Sequence, residues 1–154
     1  MKRLLFPALS AAFLVTAEPI RTDVFTSGTQ AYAMYRIPGI LVTPKGALLA
    51  YAEGRKNSSS DWADIDIVVR RSGDGGATWT PQQVVGRLPG PVSQNPAAAR
   101  LARPPEHITY SNPVAIADRK KGLVHFLYCI EYMRAFYMRS EDDGRTFSRR
   151  SEEH

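Results

Sequence analysis

Two turns of the same chemistry, SGDGGATW (residues 72 to 79) and SEDDGRTF (140 to 147), recur 68 residues apart. They share the pattern S-x-D-x-G-x-T-[W or F]. An internal repeat of this kind constrains a fold more tightly than composition does. Each turn closes a similar series of short hydrophobic runs. YRIPGILVT (35 to 43), ALLAYAEGR (47 to 55), DIDIVVRR (64 to 71) and QQVVGR (82 to 87) read as four strands, with PKG and the polar loop KNSSSDWA (56 to 63) among the connections. After an irregular, Pro- and Ala-rich stretch (88 to 110), NPVAIAD (112 to 118), LVHFLYCI (123 to 130) and RAFYMR (134 to 139) repeat the first three strands. Consecutive four-stranded antiparallel meanders point to an all-β chain, part of a β-propeller with about two blades. Blade one is expected over about 34–87, and blade two over about 111–150, cut short after its turn. A closed ring needs roughly four to eight blades. The expectation is therefore an N-terminal portion of a longer protein, its remaining blades in a C-terminal portion.

The repeated residues have structural work to do. Asp74 and Asp142 can accept backbone N–H bonds within their turns, and Gly76 and Gly144 can take the left-handed conformation. Ser72 and Ser140 complete the hydrogen bonding, while Trp79 and Phe147 tuck against the sheet. These eight residues are read as structural.

Composition narrows the function. The formal charge of +5 is spread along the chain, without the basic stripe of a nucleic-acid binder. A mildly positive surface suits an anionic small substrate. The single cysteine, Cys129, rules out an internal disulfide framework and is read as a buried small hydrophobe; no metal or cofactor is expected. Lys2 and Arg3, the apolar run Leu4 to Val15 and the small residues around Ala17 read as a signal peptide over 1–17. That predicts a secreted or periplasmic protein, with no membrane span.

Within DIDIVVRR, Ile65, Ile67 and Val69 alternate with Asp64, Asp66, Val68 and Arg70, the period of a strand. Asp64 and Asp66 are expected to pair with strand arginines or lie at the blade edge. Asp61 belongs to the preceding loop instead.

These motifs, in this order, resemble the sialidase (neuraminidase) superfamily. The two turns are similar to its Asp-boxes (BNR repeats), YRIP to its RIP motif, and EGR (53 to 55) with SDWADIDIVVRRS (60 to 72) extends the likeness. The resemblance implies a partial six-bladed propeller and, in the full-length protein, a retaining exo-α-sialidase. Such an enzyme hydrolyses terminal α-linked sialic acid on glycoconjugates. Arg36 corresponds to the first of three carboxylate-binding arginines, and Arg55 to a further arginine of the pocket. A planar guanidinium is the natural two-pronged clamp for a carboxylate. Asp61 holds the place of the acid that protonates the leaving oxygen, and beside Trp62 a raised pKa is expected for it. Asn112 stands where many bacterial members carry Asp, keeping a hydrogen-bonding group for the sugar but losing the charge. The family's tyrosine nucleophile, its glutamate partner and two further arginines match nothing here. Tyr128, Tyr132 and Tyr137 are read as packing in strands, and Glu131 as no partner for a nucleophile. The 154-residue chain is thus expected to be inactive by itself. The alternative is a non-catalytic Asp-box propeller that binds carbohydrate or protein.

Overall fold

A computed structural model describes residues 21–153. The signal-like segment lies outside the described residues. Among the described residues, the strands form two four-stranded antiparallel sheets. The first contains β1 (Met34–Val42), β2 (Leu48–Arg55), β3 (Ile65–Ser72) and β4 (Gln83–Val85), paired in chain order. The second contains β5 (Tyr110–Asp118), β6 (Leu123–Ile130), β7 (Arg134–Ser140) and β8 (Ser151–Glu153), in the same order. The fold is all-β, a partial propeller of two blades. The second blade is more complete than the sequence predicts. Its fourth strand, β8, lies beyond the turn and pairs Ser151 to Glu153 with β7. It is three residues long and has no hydrophobic alternation, so it carries no pattern to read.

The core lies between the sheets. Leu49, Ile67 and Val69 of the first meet Val124, Phe126, Tyr128, Ile130, Phe136 and Met138 of the second. Strand β6 shows why: Val124, Phe126, Tyr128 and Ile130 are buried, and the residues between them are half-exposed. Cys129 belongs to the half-exposed set, so it is not the buried hydrophobe expected. Strand β3 behaves differently, being buried on both faces from Ile65 to Val69. Its second face, at Val68, packs with Ala52, Tyr32 and Phe25. The segment before β1 thus covers part of the sheet turned away from its neighbour.

Both inner strands break register at the same place. β1 slips between Arg36 and Gly39, and β5 between Ser111 and Val114. The residue before the proline takes positive φ in each case, 50° at Ile37 and 54° at Asn112. For a β-branched residue such as Ile37 this conformation is strained. A bulge bends its strand and re-aims the neighbouring side chains, here Arg36 in one blade and Asn112 in the other.

The two turns are superimposable in their chemistry. The Ser72 hydroxyl donates to Asp74 (2.7 Å) and accepts the Gly76 N–H (2.8 Å), while Asp74 also accepts the Thr78 amide (2.9 Å). Ser140, Asp142, Gly144 and Thr146 repeat those bonds at 2.7, 2.8 and 2.9 Å. Phe147 packs edge-on against Phe126, and the Trp79 indole donates to the Gly76 carbonyl. The second turn also ties the blades together, since the Arg71 Nε donates to the Asp143 carbonyl at 2.9 Å. The connection between sheets is less irregular than its composition predicts. Asn95 caps a short 3₁₀ helix, Pro96–Leu101, by accepting the Ala97 amide.

Candidate active site

Arg36, Arg55 and Asp61 meet at one end of the inner strands. Arg36 and Arg55 lie on adjacent antiparallel strands, and the loop from β2 to β3 returns Asp61 over them. One Asp61 oxygen, Oδ1, accepts from Arg55 at 2.7 Å and from Arg36 at 3.4 Å. The two cations are unlike. Arg36 is 47% exposed, whereas Arg55 is 1% exposed. Arg55 also donates to the Ser59 carbonyl (2.5 Å) and to the buried carboxylate of Glu53 (2.8 Å). Burial opposes charge on Arg55, but the bonds to Glu53 and Asp61 outweigh it and hold the guanidinium more firmly protonated than usual.

The loop folds on its own serines: the Ser58 hydroxyl accepts the Ser60 amide and the Ser60 hydroxyl accepts the Trp62 amide. Trp62 then anchors it. Its ring meets Tyr132 edge-on with centroids 4.9 Å apart, and the Arg103 guanidinium sits 5.3 Å from its centroid. Arg103 is fixed in turn by Glu131, a fully buried carboxylate that also accepts the Thr109 amide at 2.8 Å. Glu131 is a structural hub. Burial raises its carboxyl, but Arg103 and the amides of Asn95 and Thr109 bring it below the ordinary value. Tyr132 occupies the turn between β6 and β7, not a strand.

Asp61 departs from expectation. Its carboxyl is lowered, not raised: the hydrogen bond and charge of Arg55 dominate, Arg36 adds to them, and desolvation is slight at 62% exposure. Asn112 presents its main chain to the cluster, its N–H donating to Glu53 at 2.9 Å, with the residue itself exposed. Of the two expectations for Asp64 and Asp66, strand arginines or the blade edge, pairing takes a different form: Asp64 pairs with Lys56 (2.8 Å), and Asp66 pairs with Arg87 and, at 3.4 Å, with Lys56. Asp66 also accepts from the Tyr32 hydroxyl at 2.7 Å. Asp74 and Asp142 lie in the turns, as structural residues should.

Two members of the site are not singled out by sequence reasoning. Glu53 has a signal, being a charged residue two positions from Arg55 in a hydrophobic strand, hence on the same face. Arg103 lies in the irregular connection and has none. Among the described residues, a cavity of about 540 Å³ opens elsewhere, lined by Lys56, Asp66, Arg87 and Tyr110, and does not include Arg36, Arg55 or Asp61.

The same fold recurs in solved structures. The Hadza microbial sialidase Hz136 matches with a TM-score of 0.64 and 28% identity, over 82% of this chain and 27% of that one. The fold is that of the sialidase superfamily, present in part. The intramolecular trans-sialidase from Ruminococcus gnavus shares the fold, with a TM-score of 0.55 and 22% identity over 75% of this chain and 24% of that one. In sequence, the chain is 30% identical over 152 residues to the sialidase of Micromonospora viridifaciens, covering 86% of this chain and 21% of that protein. It therefore spans about a fifth of the length of that relative. No protein-family model matches.

Proposed function

We propose that this chain is the N-terminal portion of an exported, retaining exo-α-sialidase that removes terminal α-linked sialic acid from glycoconjugates. The observation that carries the reading is the convergence of Arg36, Arg55 and Asp61 on one carboxylate oxygen position. Two guanidinium groups aimed at a single point make a seat for a carboxylate, and the Asp61 carboxylate fills it. The kinship of the chain to sialidases supports giving that seat to a sugar acid.

The chemistry follows from exchange at the seat. A substrate carboxylate that engages Arg36 and Arg55 displaces Asp61 from them. Free of both cations, Asp61 returns towards an ordinary carboxyl affinity for protons. Standing beside Trp62 and Tyr132, it takes up a proton from solvent and passes it to the glycosidic oxygen as the aglycone leaves. After departure, the same carboxylate draws a proton from the water that completes hydrolysis. The nucleophile and the remaining carboxylate-binding arginines come from further blades. A tyrosine suits that role, because an anionic nucleophile is repelled by the substrate's own carboxylate.

The test is an aryl sialoside assay of the full-length gene product, whose reading frame should encode another Asp-box, a Glu, two spaced arginines and a late Tyr. Asp61→Asn is expected to lower turnover of a natural sialoside by about 10²–10⁴-fold. The loss should be smaller with an aryl leaving group, which needs little protonation. Unchanged turnover of both substrates overturns the assignment. The 154-residue chain alone is expected to give no turnover above buffer.

A further inference from the structure

Arg55 is a buried cation with two carboxylate partners of opposite character. Glu53 is 0% exposed and Asp61 is 62% exposed, and both bind the same guanidinium nitrogen, at 2.8 and 2.7 Å. Glu53 is held from its other side, where Oε1 accepts the Asn112 N–H at 2.9 Å. That amide is offered by the bulge in β5, at the register break between Ser111 and Val114. The carboxylate is thus pinned between the blades, whereas Asp61 rides on a surface loop.

A buried charge stripped of its partner strongly destabilises a fold, because no water replaces the lost interaction. Were Asp61 the sole counter-ion of Arg55, its loop could not leave without that penalty. We propose that Glu53 is a positioning residue, the permanent counter-ion of Arg55, which makes Asp61 the exchangeable one. Glu53 keeps the guanidinium neutralised and oriented while the loop carboxylate swaps with the carboxylate of an incoming anion. Only the identification of that anion as a sugar acid rests on the function proposed above.

The groups that face Asp61 are the Arg55 and Arg36 cations; Glu53 lies behind Arg55, and the Tyr132 phenol approaches from the second blade and feels the charges of Glu53, Asp61 and Arg55. Replacing Glu53 by Gln keeps an acceptor for the Asn112 amide but removes one of two anions competing for Arg55. Asp61 should then bind Arg55 harder and give up its proton more readily.

Two variants of the full chain test this without any sugar, so the outcome is independent of whether the protein is a sialidase. Asp61→Asn is expected to leave the urea midpoint where it is in the wild type, and Glu53→Gln to lower it clearly. In folded Glu53→Gln, the ¹³C carboxyl titration of Asp61 should move down by ~0.5 pH unit or more, a readout that a merely structural role leaves still. Equal loss of stability in the two variants overturns the proposal, as does an unmoved Asp61 titration. If Glu53→Gln does not fold, Asp61→Asn decides alone: a wild-type midpoint supports the assignment and a large fall overturns it.

Discussion

The main-chain amide of Asn112 donates to the Glu53 carboxylate at 2.9 Å, so a bulge in the second blade is tied through Glu53 to the buried Arg55 of the first. One hydrogen bond therefore links the registration of the two blades to the orientation of Arg55. The site is a property of the blade interface, and changes in that interface should reach it.

Two buried carboxylates paired with arginines away from Arg55, Glu131 and Asp66, should respond differently to loss of charge. Glu131 and Arg103 are both buried, at 0% and 7% exposure, whereas Arg87, the partner of Asp66, is 53% exposed. Glu131→Gln strands Arg103 and is expected to cost about 3–5 kcal/mol. Asp66→Asn leaves Arg87 free to reach water, and its cost should be nearer 1–2 kcal/mol, mostly from the weakened bond to Tyr32. Urea melts of the two variants distinguish them, and equal losses contradict the burial argument.

Glycine is required at position 144 for two reasons and at position 46 for one. Both have positive φ, 80° and 90°, but a Cβ on Gly144 would lie 2.9 Å from Leu49 Cδ1, whereas none would meet anything near Gly46. Gly46→Ala should cost about 1 kcal/mol from backbone strain. Gly144→Ala adds the clash with a core residue of the other blade, and about 2–4 kcal/mol in all is expected. Thermal melts of the two variants check the order.

Acid should loosen the turn at Asp142. Burial raises its carboxyl, but the Thr146 hydroxyl and amide and the Ser140 hydroxyl outweigh that and lower it to about 2. An unfolded Asp titrates near pH ~3.9. Between these values the unfolded chain binds more protons, so the stability contribution is fully present above about pH 4 and is lost as pH falls towards 2. Asp142→Asn should flatten that part of the stability–pH curve. A slope identical to the wild type would show that other carboxylates set it.

Trp62 should govern the freedom of the loop that carries Asp61. Removing its ring deletes the edge-on contact with Tyr132 and the Arg103 cation above it. Each is worth about 0.5–1.5 kcal/mol, so Trp62→Ala should speed amide exchange across residues 57 to 63 by ~tenfold. Unaltered exchange would mean that the loop is held by the arginines, through Asp61 and the Ser59 carbonyl, and not by Trp62.

Local chemistry alone determined the blades. Strand alternation places Val124, Phe126, Tyr128 and Ile130 on one face because a strand's side chains alternate regardless of partner. The Ser-Asp-Gly-Thr turns close on themselves through bonds spanning no more than four residues, so Asp74 and Asp142 could be separated from Asp61 by sequence alone. The short β8 escaped because pairing with β7, and no pattern of its own, makes it a strand. Tertiary structure decided the electrostatics of the site. Asp61 stands beside an aromatic in sequence, which argues for a raised carboxyl, yet Arg55 and Arg36 approach it from other strands and reverse the sign. Glu53 meets Asn112 only because the β5 bulge of the second blade offers that amide to the first. Charge interactions act through space between segments far apart in the chain, and a sequence records the charges but not the distances between them.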